Sequence, residues 1–100
     1  MPYELLLLSS FERAIKRLDP NEKATIKLAL QALLIYFSSN NNLEEAQRIA
    51  PRFFFKQLRK PFYETGIEGR LRIVLRKDDL SFFAILAGNH DDVQRLLMRS

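Results

Sequence analysis

A chain of 100 residues is long enough for one domain with one modest core, and 47% hydrophobic with 28% charged residues is the balance of a globular protein, which excludes general disorder. The absence of cysteine excludes disulfide staples and cysteine metal sites, and it suits a reducing cytosol. The net charge of +4 is mild, so its distribution along the chain says more than its size.

The start, MPYELLLLSSFER, has no basic region before its leucines and does not read as a signal peptide. YELLLL (residues 3–8) is too short for a core helix and reads as a buried strand. Ser9 and Glu12 have the spacing of a capping box. Phe11, Ala14, Ile15 and Leu18 then give one apolar helical face, with Arg13, Lys16 and Arg17 opposite. In LDPNEKA, Asp19 suits an N-cap, Pro20 the first helical position and Glu22 the third, which predicts a second helix from Pro20 to about Phe37. Lys23, Lys27 and Gln31 make its single polar row, so neighbours must cover it on several sides. The tight connection predicts an antiparallel helical hairpin. LALQALLIYF within it is far short of the ~20 apolar residues that cross a bilayer.

SSNNN reads as a loop and LEEAQRIA as a short helix stopped by Pro51. FFFKQL fits a strand or an apolar connector. PFYETGIEG is strand-like up to a glycine-bounded turn, and residues 70–77 alternate arginine with aliphatic residues as a half-exposed strand does. Asp78 and Asp79 make a reversal, SFFAILAG a central strand, and Val93, Leu96 and Leu97 mark a short terminal helix. The sum is a single α+β domain over residues 1–100: a small, mostly antiparallel sheet with an N-terminal helical hairpin packed on one face. The other face is then open, and the arginines of residues 70–76 point to it.

Residues 51–77 hold Arg52, Lys56, Arg59, Lys60, Arg70, Arg72, Arg76 and Lys77 against Glu64 and Glu68, a net of +6, while the rest of the chain carries −2. Such a segment favours an anionic partner, and arginine offers a rigid donor fork to phosphates. Arg70, Arg72 and Arg76, with Lys56 and Arg59 just before, can neutralise several backbone phosphates. No HExxH, P-loop or GxGxxG is present, and the pairs Asp78–Asp79 and Asp91–Asp92 sit where turn and helix-start aspartates belong. RNA cleavage without a metal needs a proton acceptor for the 2′-hydroxyl, cations for the phosphate and an acid for the leaving oxygen. His90, the only histidine, is the side chain suited to proton transfer; its structural alternative is a strand-end histidine bonded to backbone.

The order of elements resembles the RelE/ParE toxin superfamily of type II toxin–antitoxin systems over nearly the whole chain. FERAIKRLDPNEKATIKLALQALL, KQLRKPFYE, GRLRIVLR and AGNHDDVQRLL carry the resemblance. It implies a small cytoplasmic protein held by a cognate antitoxin that wraps it, with no cofactor, no metal and no membrane partner. The RelE-like branch implies ribosome-dependent messenger RNA cleavage without a metal; the alternative is a non-catalytic module, either a ParE-like inhibitor of DNA gyrase or a degenerate toxin that only binds its antitoxin. On this resemblance Arg72 matches the arginine set against the scissile phosphate, with Arg70 and His90 as further catalytic candidates. Lys56, Arg59, Arg76, Lys77 and Gln94 are the RNA-binding candidates. Leu71 and Gln94 stand where these toxins usually carry tyrosine, and the preceding strand has Phe62, Tyr63, Glu64 and Thr65 in place of lysines. Assembly is expected as a toxin–antitoxin hetero-oligomer, or as a homodimer through the apolar second helix.

Overall fold

The computed structural model describes residues 3–67 and 69–99; Met1, Pro2, Glu68 and Ser100 lie outside them. In chain order the elements are β1 (Glu4–Leu7), α1 (Ser9–Lys16), α2 (Pro20–Ser38), α3 (Leu43–Ile49), β2 (Phe54–Gln57), β3 (Phe62–Gly66), β4 (Arg72–Asp78), β5 (Ser81–Gly88) and α4 (His90–Arg99). They form one five-stranded sheet in the order β1-β5-β4-β3-β2. Only the β1–β5 pair is parallel, so the α+β, mostly antiparallel architecture is as expected.

α2 begins as its sequence dictates. The Glu22 amide donates to Asp19 Oδ1 at 2.8 Å and the Asp19 amide to Glu22 Oε1 at 3.0 Å, with Pro20 at the first helical position. A cap of this kind is worth about 1 kcal/mol. The box expected from Ser9 and Glu12 does not form, because α1 starts one residue earlier with Leu8 as its N-cap. Leu8 still donates its amide to the Ala84 carbonyl, so β1 hands the chain into the helix without a gap. The hydroxyl of Ser10 instead donates to the Ile85 carbonyl at 2.8 Å. β1 is also not the buried strand expected from YELLLL. It is a sheet edge, with Leu6 and Leu7 37% and 45% exposed, and only its Leu5 packs into the core.

The main core lies between α2 and one sheet face. Phe11 of α1, Ile26, Leu33 and Phe37 of α2, and Phe53 meet Ile73, Leu75 and Phe82 of the sheet. Phe37 stacks on Phe82 with centroids 4.9 Å apart, and Tyr36, Phe55 and Tyr63 extend the aromatic cluster. The opposite face is not wholly open, contrary to the sequence reading. α4 lies on it and buries Val93 against Val74 and Phe62, with Leu96 and Leu97 packed alongside. A bulge makes this seat: Val74 pairs with Leu86 but Leu75 with Ala84, which leaves Ile85 as the extra residue. Ile85 and Leu86 therefore both serve the α4 side, where strict alternation would have sent one of them to the main core.

Candidate nucleic-acid interface

Period-two alternation on β4 points Arg72, Val74 and Arg76 to the α4 side. α4 covers Val74, while Arg76 is exposed and Arg72 half-buried. Strand register brings Lys56 of β2 directly opposite Glu64 of β3, and Glu64 opposite Val74. Glu64 Oε1 thus lies 3.5 Å from Lys56 Nζ and 3.3 Å from Arg72 Nε. The carboxylate side chain is only 5% exposed and that of Arg72 18%, whereas the Lys56 side chain remains largely in water. The arginine is held from a second direction, because its guanidinium carbon sits 4.8 Å from the centroid of the Phe54 ring. Gly66 makes room for that ring: a Cβ there would lie 2.9 Å from the Leu71 carbonyl and 3.0 Å from the Phe54 ring edge.

The other sequence candidates divide into four groups. Arg76 joins the face and sits 5.8 Å from the Phe83 centroid. Lys77 points to the opposite face, 5.1 Å from the Tyr3 centroid. Arg59 donates to the Leu97 carbonyl in the last turn of α4, so it anchors the helix across the sheet. Arg70 precedes the strand that was expected to include it, and it lines a shallow hollow with Gly69, Asn89, His90 and Asp91. His90 is exposed as the first residue of α4, and Gln94 is exposed one turn further on the same side.

The entry to α4 is tightly built. Asn89 Oδ1 accepts from the Asp92 amide and Asp92 Oδ2 from the Asn89 amide, both at 2.9 Å. A Cβ on Gly88 would fall 2.4 Å from that Asp92 oxygen, so glycine is required where strand turns into helix. The box fixes where His90 emerges relative to β4, since Arg72 pairs with Gly88 two residues before it. Among the described residues no group of three or more histidine, aspartate and glutamate side chains gathers as a metal site.

Sequence reasoning missed Phe54 and Glu64 as parts of this site. Their signal was the shared two-residue spacing of Phe54 with Lys56 and of Phe62 with Glu64. That spacing becomes informative only once FFFKQL is known to be a strand paired with β3.

No protein-family model and no curated protein matches the chain. Solved structures do match. The RelB–RelE antitoxin–toxin complex from Methanococcus jannaschii contains a chain that aligns over 91% of this one and 96% of its own length, with a TM-score of 0.61 and 13% identity. A metal-bound toxin from Helicobacter pylori aligns over 91% and 98%, with a TM-score of 0.61 and 18% identity. The E. coli DinJ–YafQ toxin–antitoxin complex gives 93% and 98%, a TM-score of 0.59 and 10% identity. The fold is that of the RelE-like toxins. At these identities the likeness is one of fold, and the chemistry has to be argued from the residues of this chain.

Proposed function

We propose that this protein is the toxin of a type II toxin–antitoxin pair and that it cuts messenger RNA on the ribosome without a metal. The observation that carries the reading is the half-buried Arg72, held by Glu64 and the Phe54 ring on the sheet face opposite α2. A guanidinium positioned from two sides loses little freedom when it grips a phosphate, and it stabilises the charge that builds on the oxygens in the transition state. Arg70 and Arg76 extend the cationic track, and Lys56 adds a mobile charge beside Glu64. His90 takes the proton of the 2′-hydroxyl as that oxygen attacks phosphorus; the bond to the 5′-oxygen breaks, and the imidazolium or a water returns a proton to it. The binding partners on this reading are a cognate antitoxin, the ribosome and messenger RNA, in the cytoplasm.

Induction of the chain alone, followed by mapping of transcript ends, tests it. Cuts within ribosome-bound messages are expected, and intact transcripts in growth-arrested cells would overturn it. The alternative is non-catalytic binding, to DNA gyrase or to the antitoxin only. One observation favours it: Leu71, in the tyrosine position, is buried in the α2-side core and brings no group to the cationic face.

A further inference from the structure

Glu4 and Leu8 turn their amides inward, to the carbonyls of Leu80 and Ala84 beside β1. Strand alternation sends the amide and carbonyl of Leu6 the same way, and those of Leu5 and Leu7 outward. Among the described residues no strand lies on that outer side, because β1 ends the sheet. An edge of this kind is ordinarily blunted by charge, proline or a bulge. Residues 5–8 are all leucine, and their register with β5 runs unbroken. Leu6, Leu7 and Leu8 are all exposed.

The side chains repeat the pattern of the backbone. Leu5 and Leu7 lie on the α2 side of the sheet, level with Phe82 and Ala84, and Leu6 lies on the other side, level with Phe83. The triplet therefore reads the same in both directions about Leu6, in its outward groups and in its side chains. An isologous contact requires such self-complementarity of a surface.

We propose that β1 pairs antiparallel with β1 of a second copy of this chain, about a two-fold axis at Leu6. Leu5 of one copy then exchanges both backbone hydrogen bonds with Leu7 of the other, and the two Leu6 side chains meet across the axis. Glu4 falls opposite Leu8, so the pairing sets no like charges against each other. A strongly charged partner segment is the poorer occupant, because residues 5–8 offer it no counter-charge. The contact is small, so the dimer is weak, with a Kd of about 100 µM. The edge shares no residue with Lys56, Glu64 and Arg72, so the inference stands apart from RNA cleavage.

Sedimentation of the full chain between about 10 µM and about 1 mM is the test, and its mean mass should climb from monomer toward dimer. The amides of Leu5 and Leu7 should exchange slowly with solvent only at the high end, and that of Leu6 at both. Leu7→Pro removes an outward donor and leaves the bonds to β5 in place, while Leu6→Lys sets two ammonium groups across the axis. Each should weaken association by about tenfold or more. Leu34→Lys, on the exposed side of α2, should leave it unchanged. A monomer throughout the range would overturn the proposal. So would a dimer that survives Leu6→Lys, or one lost in Leu34→Lys, since either puts the interface elsewhere. Leu6→Lys decides alone if circular dichroism shows that Leu7→Pro has lost its fold. None of these outcomes alters the transcript-end readout, so failure here and failure of the cleavage reading are separable.

Discussion

The Nε of Arg72 lies 3.3 Å from Oε1 of Glu64, so this cation rests on an internal carboxylate, and on the proposed reading a substrate phosphate competes with that carboxylate for it. Lys56 reaches the same oxygen from the solvent side, which leaves the trio with a single net positive charge. Glu64→Gln should therefore act in two opposite directions. Loss of the buried charge partner destabilises the fold by about 1–3 kcal/mol, below the usual range for fully buried pairs because both cations retain some water. Anion binding strengthens at the same time. The slope of log affinity against log salt for single-stranded RNA should steepen by about 0.7, as one more cation becomes available to a phosphate. Urea unfolding and salt-dependent RNA titrations measure the two effects, and weaker RNA binding in the variant would contradict the phosphate-site reading.

The same contact decides how Arg72 has to be tested. Arg72→Ala leaves Glu64 buried with only the largely exposed Lys56, so lost activity could reflect a damaged fold. Arg72→Lys keeps the charge but loses the planar fork and its stacking on Phe54. That variant should unfold within about 1 kcal/mol of the parent. It should cut ribosome-bound messages on the order of 100-fold more slowly, as expected when a preorganised donor is removed. Cleavage at the parental rate would show that Arg72 serves packing and not chemistry.

The parts of the fold that were legible in the sequence are those decided within a few residues. Asp19, Pro20 and Glu22 set the start of α2 by local hydrogen bonds. Alternation around Arg72 placed the arginines opposite Ile73 and Leu75, and those two residues are indeed in the α2-side core. What was not legible depends on partners distant in the chain. β1 is apolar enough for a central strand but pairs on one side only, so Leu6 and Leu7 meet water. The bulge at Ile85 is a mismatch between β4 and β5, invisible in either strand by itself. Placing Glu64 beside Arg72 required the β3–β4 register, and placing Lys56 there required knowing that β2 is a strand.

His90 offers a cleaner separation of chemistry from stability. It is exposed at the first position of α4, and the hydrogen bonds of the helix entry are made by Asn89 and Asp92. His90→Ala should therefore change unfolding free energy by no more than about 0.5 kcal/mol. If His90 moves the 2′-hydroxyl proton, cleavage should fall by roughly 100-fold or more. Gln94→Ala, one turn along, should alter RNA affinity with little effect on the rate of cutting. Parental cleavage by His90→Ala, measured on programmed ribosomes, would remove the histidine from the mechanism.

Tyr36 gives the fold a pH dependence on the far side of the sheet. Burial is the main cause that raises its pKa above the ordinary 10.0, and the nearby Tyr3 adds to it by charge repulsion. The ring packs against Phe55 at 4.9 Å and Phe53 at 5.7 Å, where a phenolate is poorly solvated. The folded chain thus holds this proton at a pH where the unfolded chain has released it. Its contribution to stability is complete below about pH 10 and is lost as pH rises through the higher folded value. Tyr36→Phe removes the titrating hydroxyl, so its urea midpoint should fall less than the parent's between about pH 8 and about pH 11. The two chains differ only in this hydroxyl, so the difference between their curves isolates Tyr36. Parallel curves would mean that its hydroxyl keeps full access to water in the folded state.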